Sequence, residues 1–287
     1  MTSSRVHSLR DWRSYRSEKG RYIYMLENHV GCDISFSVGE GDAKGTVHAH
    51  KFILISRSSV FEEMFSGEKS PQTIEVSETP VESFKTFLRF LYTGENHVTS
   101  GNILHIHYLA RKFRVQELAH ACATWLLRTI NHGNVCTILE HARQYGEEFL
   151  LQKCLNFVFS HGRQILLSTK FDELSQQSVA LVLKSDYLAV SENVVYEAIL
   201  RWSTHQCRVR KLEPTGLNKR DVCGTLINLI RFPIMDPRYF SSKVSTDDIL
   251  NESEKVEIFQ YIASSSGARP IPKGFIAKNR MTNFSFA

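Results

Sequence analysis

The sequence predicts an α+β module at its front, a small sheet with clustered helices, followed by an all-α helical array. Three observations predict it. Strand-like alternation is confined to the front, where Ile34, Phe36 and Val38 alternate with Ser35 and Ser37. Beyond residue 100 the apolar residues recur at helical spacing instead. Short polar joints, Asn131-His132-Gly133 and Ser160-His161-Gly162, separate those helical stripes.

Residues 1–18 are polar and rich in Arg and Ser, so they are expected to be a flexible N-terminus. Residues 19–29 hold Tyr22, Ile23, Met25 and Leu26, which suits one short amphipathic helix. The strand at 34–38 leads through the glycines Gly39, Gly41 and Gly45 into a second strand near Thr46-Val47-His48, which makes a hairpin. Residues 50–56 read as helix, and Ser58-Ser59 opens another through Phe61, Met64 and Phe65. Ile74-Glu75-Val76 is a third short strand. At Thr79-Pro80-Val81-Glu82 the expected helix start has Thr79 as cap, Pro80 at the first helical position and Glu82 closing a capping box. That helix carries Phe84, Phe87, Leu88 and Leu91 on one face and ends at Gly94.

Further stripes follow along Val115–Leu126, Val135–Ala142, Cys154–Val158, Val194–Trp202 and Leu226–Ile230. The expected organisation is 1–18 flexible, 19–131 the α+β domain, 132–263 the helical array and 264–287 a linker or tail. The last segment carries Ser264-Ser265-Ser266-Gly267, Pro270 and Pro272.

The chain is long enough, at 287 residues, for two small domains with real cores, and 42% hydrophobic content is ordinary for a globular protein. No apolar run approaches the roughly 20 residues of a membrane helix, and the first residues lack a signal-peptide core. A cytoplasmic protein, open to the nucleus as well, is the expectation. None of the six cysteines sits in a C-x-x-C pair, and most lie in apolar stripes, so all are read as free thiols. The net charge of +5 is modest. Its densest clusters, Arg208, Arg210 and Lys211, then Lys219 and Arg220, flank Pro214-Thr215-Gly216. Such a loop can touch nucleic acid or an acidic lipid head group. No aromatics interleave with these charges, so the reading is a solvated connector, with neither membrane nor nucleic acid as expected partner.

No catalytic pattern emerges. The glycines of 39–45 lie in a hairpin turn rather than between strand and helix, and no G-x-S-x-G elbow is present. His48 and His50 would share one side of a strand, whereas His105 and His107 split across helix faces. Neither pair has Cys or acidic partners at ligand spacing, so structural histidines are expected and no metal or cofactor is assigned.

The front of the chain resembles a BTB (POZ) domain. Asp33, Ala49-His50-Lys51, Leu54, Ser58 with Phe61, and Phe84 with Leu91-Tyr92-Thr93-Gly94 match that family's motifs in order. The second half resembles a BACK domain through Asn134-Val135-Cys136, Leu181–Asp186, Ser191-Glu192 and Val195–Trp202. Asn218-Lys219-Arg220 and Leu229–Pro233 resemble the BTB-domain-containing subgroup whose longer members add a C-terminal PHR domain. The sequence stops about where such a domain would begin, so it is either absent or lost from a fragment.

The resemblance implies a homodimer and an adaptor for a cullin-3 ubiquitin ligase, with an unidentified substrate protein. It implies that Tyr22, Ile23 and Leu26 lie on the dimer helix, and that Asp33 and Lys51 form a charged pair in the BTB groove. It places Phe65, Glu68, Lys69, Tyr108 and Phe113 at the cullin-3 contact. Each apolar member of these sets can equally be packing within its own domain. The chain departs from the family where an apolar-x-Glu motif is common, because Lys69 and Pro71 stand near those two positions. The rival expectation is a BTB scaffold or transcriptional co-regulator that dimerises without cullin-3. A nucleic-acid binder acting through the 208–220 loop comes next and an enzyme last.

Overall fold

The computed structural model describes Arg13 and residues 17–67, 71–264 and 269–281. The expected flexible stretch 1–18 therefore falls outside the described residues, apart from Arg13, Ser17 and Glu18. The chain divides into two compact units, Met1–Arg128 and Thr129–Ala287.

In the first unit α1 (Glu18–Glu27) precedes β1 (Ile34–Val38), β2 (Gly45–Ala49), α2 (Lys51–Ile55), α3 (Ser59–Phe65) and β3 (Thr73–Val76). Then come α4 (Val81–Thr93), α5 (Ile103–Lys112) and α6 (Gln116–Thr129). The sheet order is β2-β1-β3. β1 pairs antiparallel with β2, Ile34 opposite Ala49, and parallel with β3, Val38 opposite Val76. The alternation read from the sequence appears as burial: Ile34, Phe36 and Val38 are buried and Ser35 and Ser37 are not. Gly39 has φ +92, and a Cβ there would meet the Ala43 carbonyl at 2.8 Å, so the turn requires glycine.

Phenylalanines fill the core. Phe113 lies stacked between Phe61 (4.3 Å) and Phe87 (5.6 Å), and Phe36 meets Phe61 at 5.9 Å and Phe84 at 4.8 Å. All five are fully buried. Ser58 starts α3 by accepting the Phe61 N–H, and donates its own hydroxyl to the Phe113 carbonyl at 2.6 Å. One cap differs from expectation. α4 begins at Val81, with Pro80 in the capping position and no side-chain cap. The Thr79 hydroxyl is buried without a hydrogen-bond partner among the described residues, and Glu82 turns to Lys85 at 2.7 Å. Gly94, in the left-handed conformation, ends the helix as expected.

The second unit contains α7 (Val135–Gln144), α8 (Glu148–Ser160), α9 (Gly162–Leu166), α10 (Thr169–Asp172), α11 (Gln176–Lys184) and α12 (Glu192–Val209). α13 (Gly216–Cys223), α14 (Pro237–Tyr239) and α15 (Glu252–Ala263) complete it. Trp202 on α12 is fully buried and donates its indole N–H to the Leu174 carbonyl at 2.9 Å. Beside it Arg201 grips the Asp172 carboxylate at 2.8 Å and donates to the Leu166 and Ser168 carbonyls. That guanidinium ties the turn between α9 and α10 to α12.

The segment expected to be a linker runs back over this unit. Arg280 is buried and donates to the Glu192 carboxylate at 2.5 Å and to the carbonyls of Leu183 and Ser185. Arg231, 1% exposed, donates to the Asp186 carboxylate at 2.6 Å and to the Lys278 carbonyl at 2.7 Å. Its main-chain N–H donates to Glu192 at 3.0 Å. Lys278 adds an ion pair to Asp186, and Phe275 packs edge-on against Phe232. Lys278 and Arg231 hold the Asp186 carboxyl below its usual range.

Candidate interaction surface

The sequence-predicted dimer residues divide between two faces of α1. Ile23 and Leu26 are half-buried in a groove of about 490 Å³ that also includes Val47, His48, Leu88 and Arg89. α1 is thus seated on its own unit, with exposed ion pairs from Glu27 to Arg89 and from Lys19 to Glu95 at its ends. Exposed pairs of this kind contribute about 0–1 kcal/mol. Tyr22 lies on the other face and is 39% exposed.

Tyr22, Met25, His50, Phe52, Ile53 and Tyr92 surround a second, mostly apolar pocket of about 170 Å³. Phe52 stands beside it with 78% of its surface exposed. The helix expected over 50–56 forms as Lys51–Ile55, but its pattern does not foretell the exposure of Phe52. In the run Phe52-Ile53-Leu54-Ile55 only Leu54 is fully buried, and nothing in the run's periodicity marks Phe52 as the outward residue. His50 itself is structural. Its Nδ1 lies 2.7 Å from the Tyr92 hydroxyl and its Nε2 lies 2.8 Å from the Val30 carbonyl. Burial pushes the Tyr92 hydroxyl well above its ordinary range, so it stays neutral and keeps its proton for the bond to His50 Nδ1.

The charged pair takes a different form from the expected one. Asp33 accepts the Lys51 main-chain N–H at 2.8 Å, so it caps α2 from a distance in sequence, where His50 offers no side-chain cap. The Lys51 ammonium lies 5.4 Å above the Phe65 ring. The expected cullin-contact residues also separate. Phe113 is a core residue with no exposed surface, so it cannot present an anchor. Phe65 is half-buried and stacked on Phe61. Tyr108 is half-buried under Lys112, which donates to its hydroxyl at 3.1 Å. Burial and a bond to Glu78 push the Tyr108 hydroxyl up to about 12. Glu68 and Lys69 lie outside the described residues.

All six cysteines are free thiols. Burial pushes Cys122, Cys136, Cys154 and Cys223 up to about 12, which keeps them protonated and poor nucleophiles at neutral pH. No helix among the described residues is long and apolar enough to cross a membrane.

Two family models match this architecture, the BTB/POZ domain over residues 23–129 and the BACK domain (BTB And C-terminal Kelch) over residues 135–245. The chain is a BTB–BACK protein. BTB/POZ domain-containing protein 6 of Homo sapiens is 31% identical over 261 residues, covering 90% of this chain and 48% of that protein. The 6-B form of Danio rerio is 31% identical over 258 residues, 89% of this chain and 54% of the relative. BTB/POZ domain-containing protein 3 of Mus musculus is 29% identical over 258 residues, 89% of this chain and 49% of the relative. This BTB–BACK protein spans about half the length of the curated relatives it matches. It belongs to a family of interaction adaptors.

Proposed function

We propose that this chain is a non-catalytic, homodimeric adaptor that brings a substrate protein to a cullin-3 ubiquitin ligase, in the cytoplasm or the nucleus. The observation that carries the reading is the pairing of a BTB domain with a BACK domain in one chain. Exposed Tyr22 and Phe52, with half-buried Met25 and Ile53 between them, support dimerisation, because an apolar pocket beside a largely exposed Phe needs a covering surface. Phe65 and Tyr108, both half-buried, are the residues of the α+β unit offered to cullin-3. The six free thiols suit a reducing compartment.

Light scattering after gel filtration, with and without the N-terminal domain of cullin-3, tests both parts. The expected result is a dimer that takes up two cullin chains. Phe52→Asp should shift the protein toward monomer and Phe65→Ala should weaken only the cullin complex. A dimer that ignores cullin supports the second reading, a BTB scaffold or transcriptional co-regulator. What favours that reading is the burial of Phe113, together with Lys69 and Pro71 in place of the apolar-x-Glu residues.

A further inference from the structure

The end of α12 and the start of α13 form a tip whose composition neither domain's proposed role uses. Every residue from Arg208 to Thr215 is exposed. Three aliphatic side chains stand out from it, Val209 at 63%, Leu212 at 43% and Leu217 at 70% exposure. Around them lie Arg208, Arg210, Lys211 and Lys219, with Glu213 the one carboxylate between 208 and 219. Among the described residues none of these four cations is in an ion pair, whereas Arg220 next to them is held by Glu254 at 2.6 Å.

The tip is built rather than frayed. α12 stops with the Leu212 N–H bonded to the Cys207 carbonyl at 2.8 Å and the Lys211 N–H to Arg208 at 3.0 Å. Lys211 holds the left-handed position of this closure, φ +57, where glycine is the usual residue. In such a closure the residue at the Leu212 position usually packs back on its own helix; here it remains 43% exposed. Thr215 caps α13, and Gly216 sits so close to Asp248 that a Cβ would come within 2.4 Å. The start of α13 is therefore seated against Asp248 in the body of the helical unit.

We infer that this tip is a peripheral docking point for an anionic lipid surface. Exposed cations interleaved with exposed aliphatics match the two chemistries of an anionic bilayer, charged head groups over an acyl boundary. The three aliphatics would enter the acyl boundary and the unpaired Arg and Lys would meet phosphate and carboxylate head groups. The aliphatics set this reading apart from the solvated connector that the charges alone suggest.

Sedimentation of the full chain with phosphatidylcholine vesicles, made with and without phosphatidylserine, tests it. Binding should require phosphatidylserine and weaken as salt is added. It should fall about tenfold or more both in Val209→Ser/Leu217→Ser and in Arg208→Ala/Arg210→Ala/Lys211→Gly. The altered side chains are exposed and glycine suits the left-handed position, so the melting temperature should hold. No sedimentation with phosphatidylserine vesicles overturns the inference. So does an aliphatic variant that binds as well as the parent chain. Retention of single-stranded RNA or polyglutamate by the same cations, without vesicle binding, would overturn it in favour of a charge-only partner.

Discussion

The two units are held together by different chemistry. The first closes around five buried phenylalanines, in which the Phe113 ring lies stacked between Phe61 and Phe87. The second buries charge: Glu192 receives Arg280 and the Arg231 N–H, and Asp186 receives Arg231 and Lys278. An emptied ring site costs by the cavity it leaves, because neighbours relax only partly into the space. A buried ion network is worth little over an apolar replacement, yet removing one member leaves the others charged and unmatched. The difference teaches that the first unit is specified by local pattern, and the second by residues that meet across long stretches of sequence.

Glu192→Ala should break the comparison most sharply. It strands the buried Arg280 guanidinium and the Arg231 main-chain N–H, so a loss of about 3–5 kcal/mol is expected in the helical unit. Phe113→Ala should cost the first unit a similar amount, about 3–5 kcal/mol, by cavity formation. The two losses should differ in kind. Adding Arg280→Ala to Glu192→Ala should recover part of the cost, with a coupling of about 0.5–3 kcal/mol. No single partner change should do the same for Phe113. Hydrogen exchange read separately on peptides of each unit measures all three. A Glu192→Ala/Arg280→Ala chain no better protected than Glu192→Ala would show that the network does not act as one.

These two variants also show what the sequence made legible. Phe84, Phe87 and Leu88 fall at helical spacing and Ile34, Phe36 and Val38 at strand spacing, so the first core could be read before any fold was known. Its special geometry could not. Asp33 and Lys51 are expected to meet as ions and meet instead through the Lys51 main chain, because spacing says nothing about whether a carboxylate will find an ammonium or an N–H. Phe52 looks like any other apolar helix residue until the burial of Leu54 fixes which side is inward. Arg280 stands 88 residues from Glu192, in a segment whose Ser, Gly and Pro content reads as linker. Propensity reports local preference, and the ordering of this segment comes from tertiary ion pairing that has no local signature.

A smaller effect follows from pH. Lys278 and Arg231 lower the Asp186 carboxyl in the folded chain, so its contribution is present above the ordinary carboxylate range and is lost as the pH falls through the lowered folded value. Below pH about 4 the unfolded chain takes up this proton more readily than the folded one. Asp186 is partly solvated, which limits the loss to about 1 kcal/mol. Exchange protection of the Met281 N–H, which donates to the Asp186 carbonyl at 2.7 Å, should therefore fall with acid more steeply than protection in β1. Asp186→Asn should remove that excess steepness and loosen residues 278–281 at neutral pH. Equal acid profiles in the parent chain and Asp186→Asn would place the control elsewhere.

The least costly change separates two meanings of the same pair. As a cap, Asp33 needs an acceptor oxygen and no charge, so Asp33→Asn should retain most of its contribution while Asp33→Ala loses about 1 kcal/mol. As an ion partner it would need the charge, and the amide would lose as much as the methyl. Lys51→Ala keeps the main-chain N–H and gives up its ammonium over Phe65, for about 0.5–1 kcal/mol. Denaturant midpoints of the three variants decide between the forms. The capping geometry predicts a lower midpoint for Asp33→Ala than for Asp33→Asn.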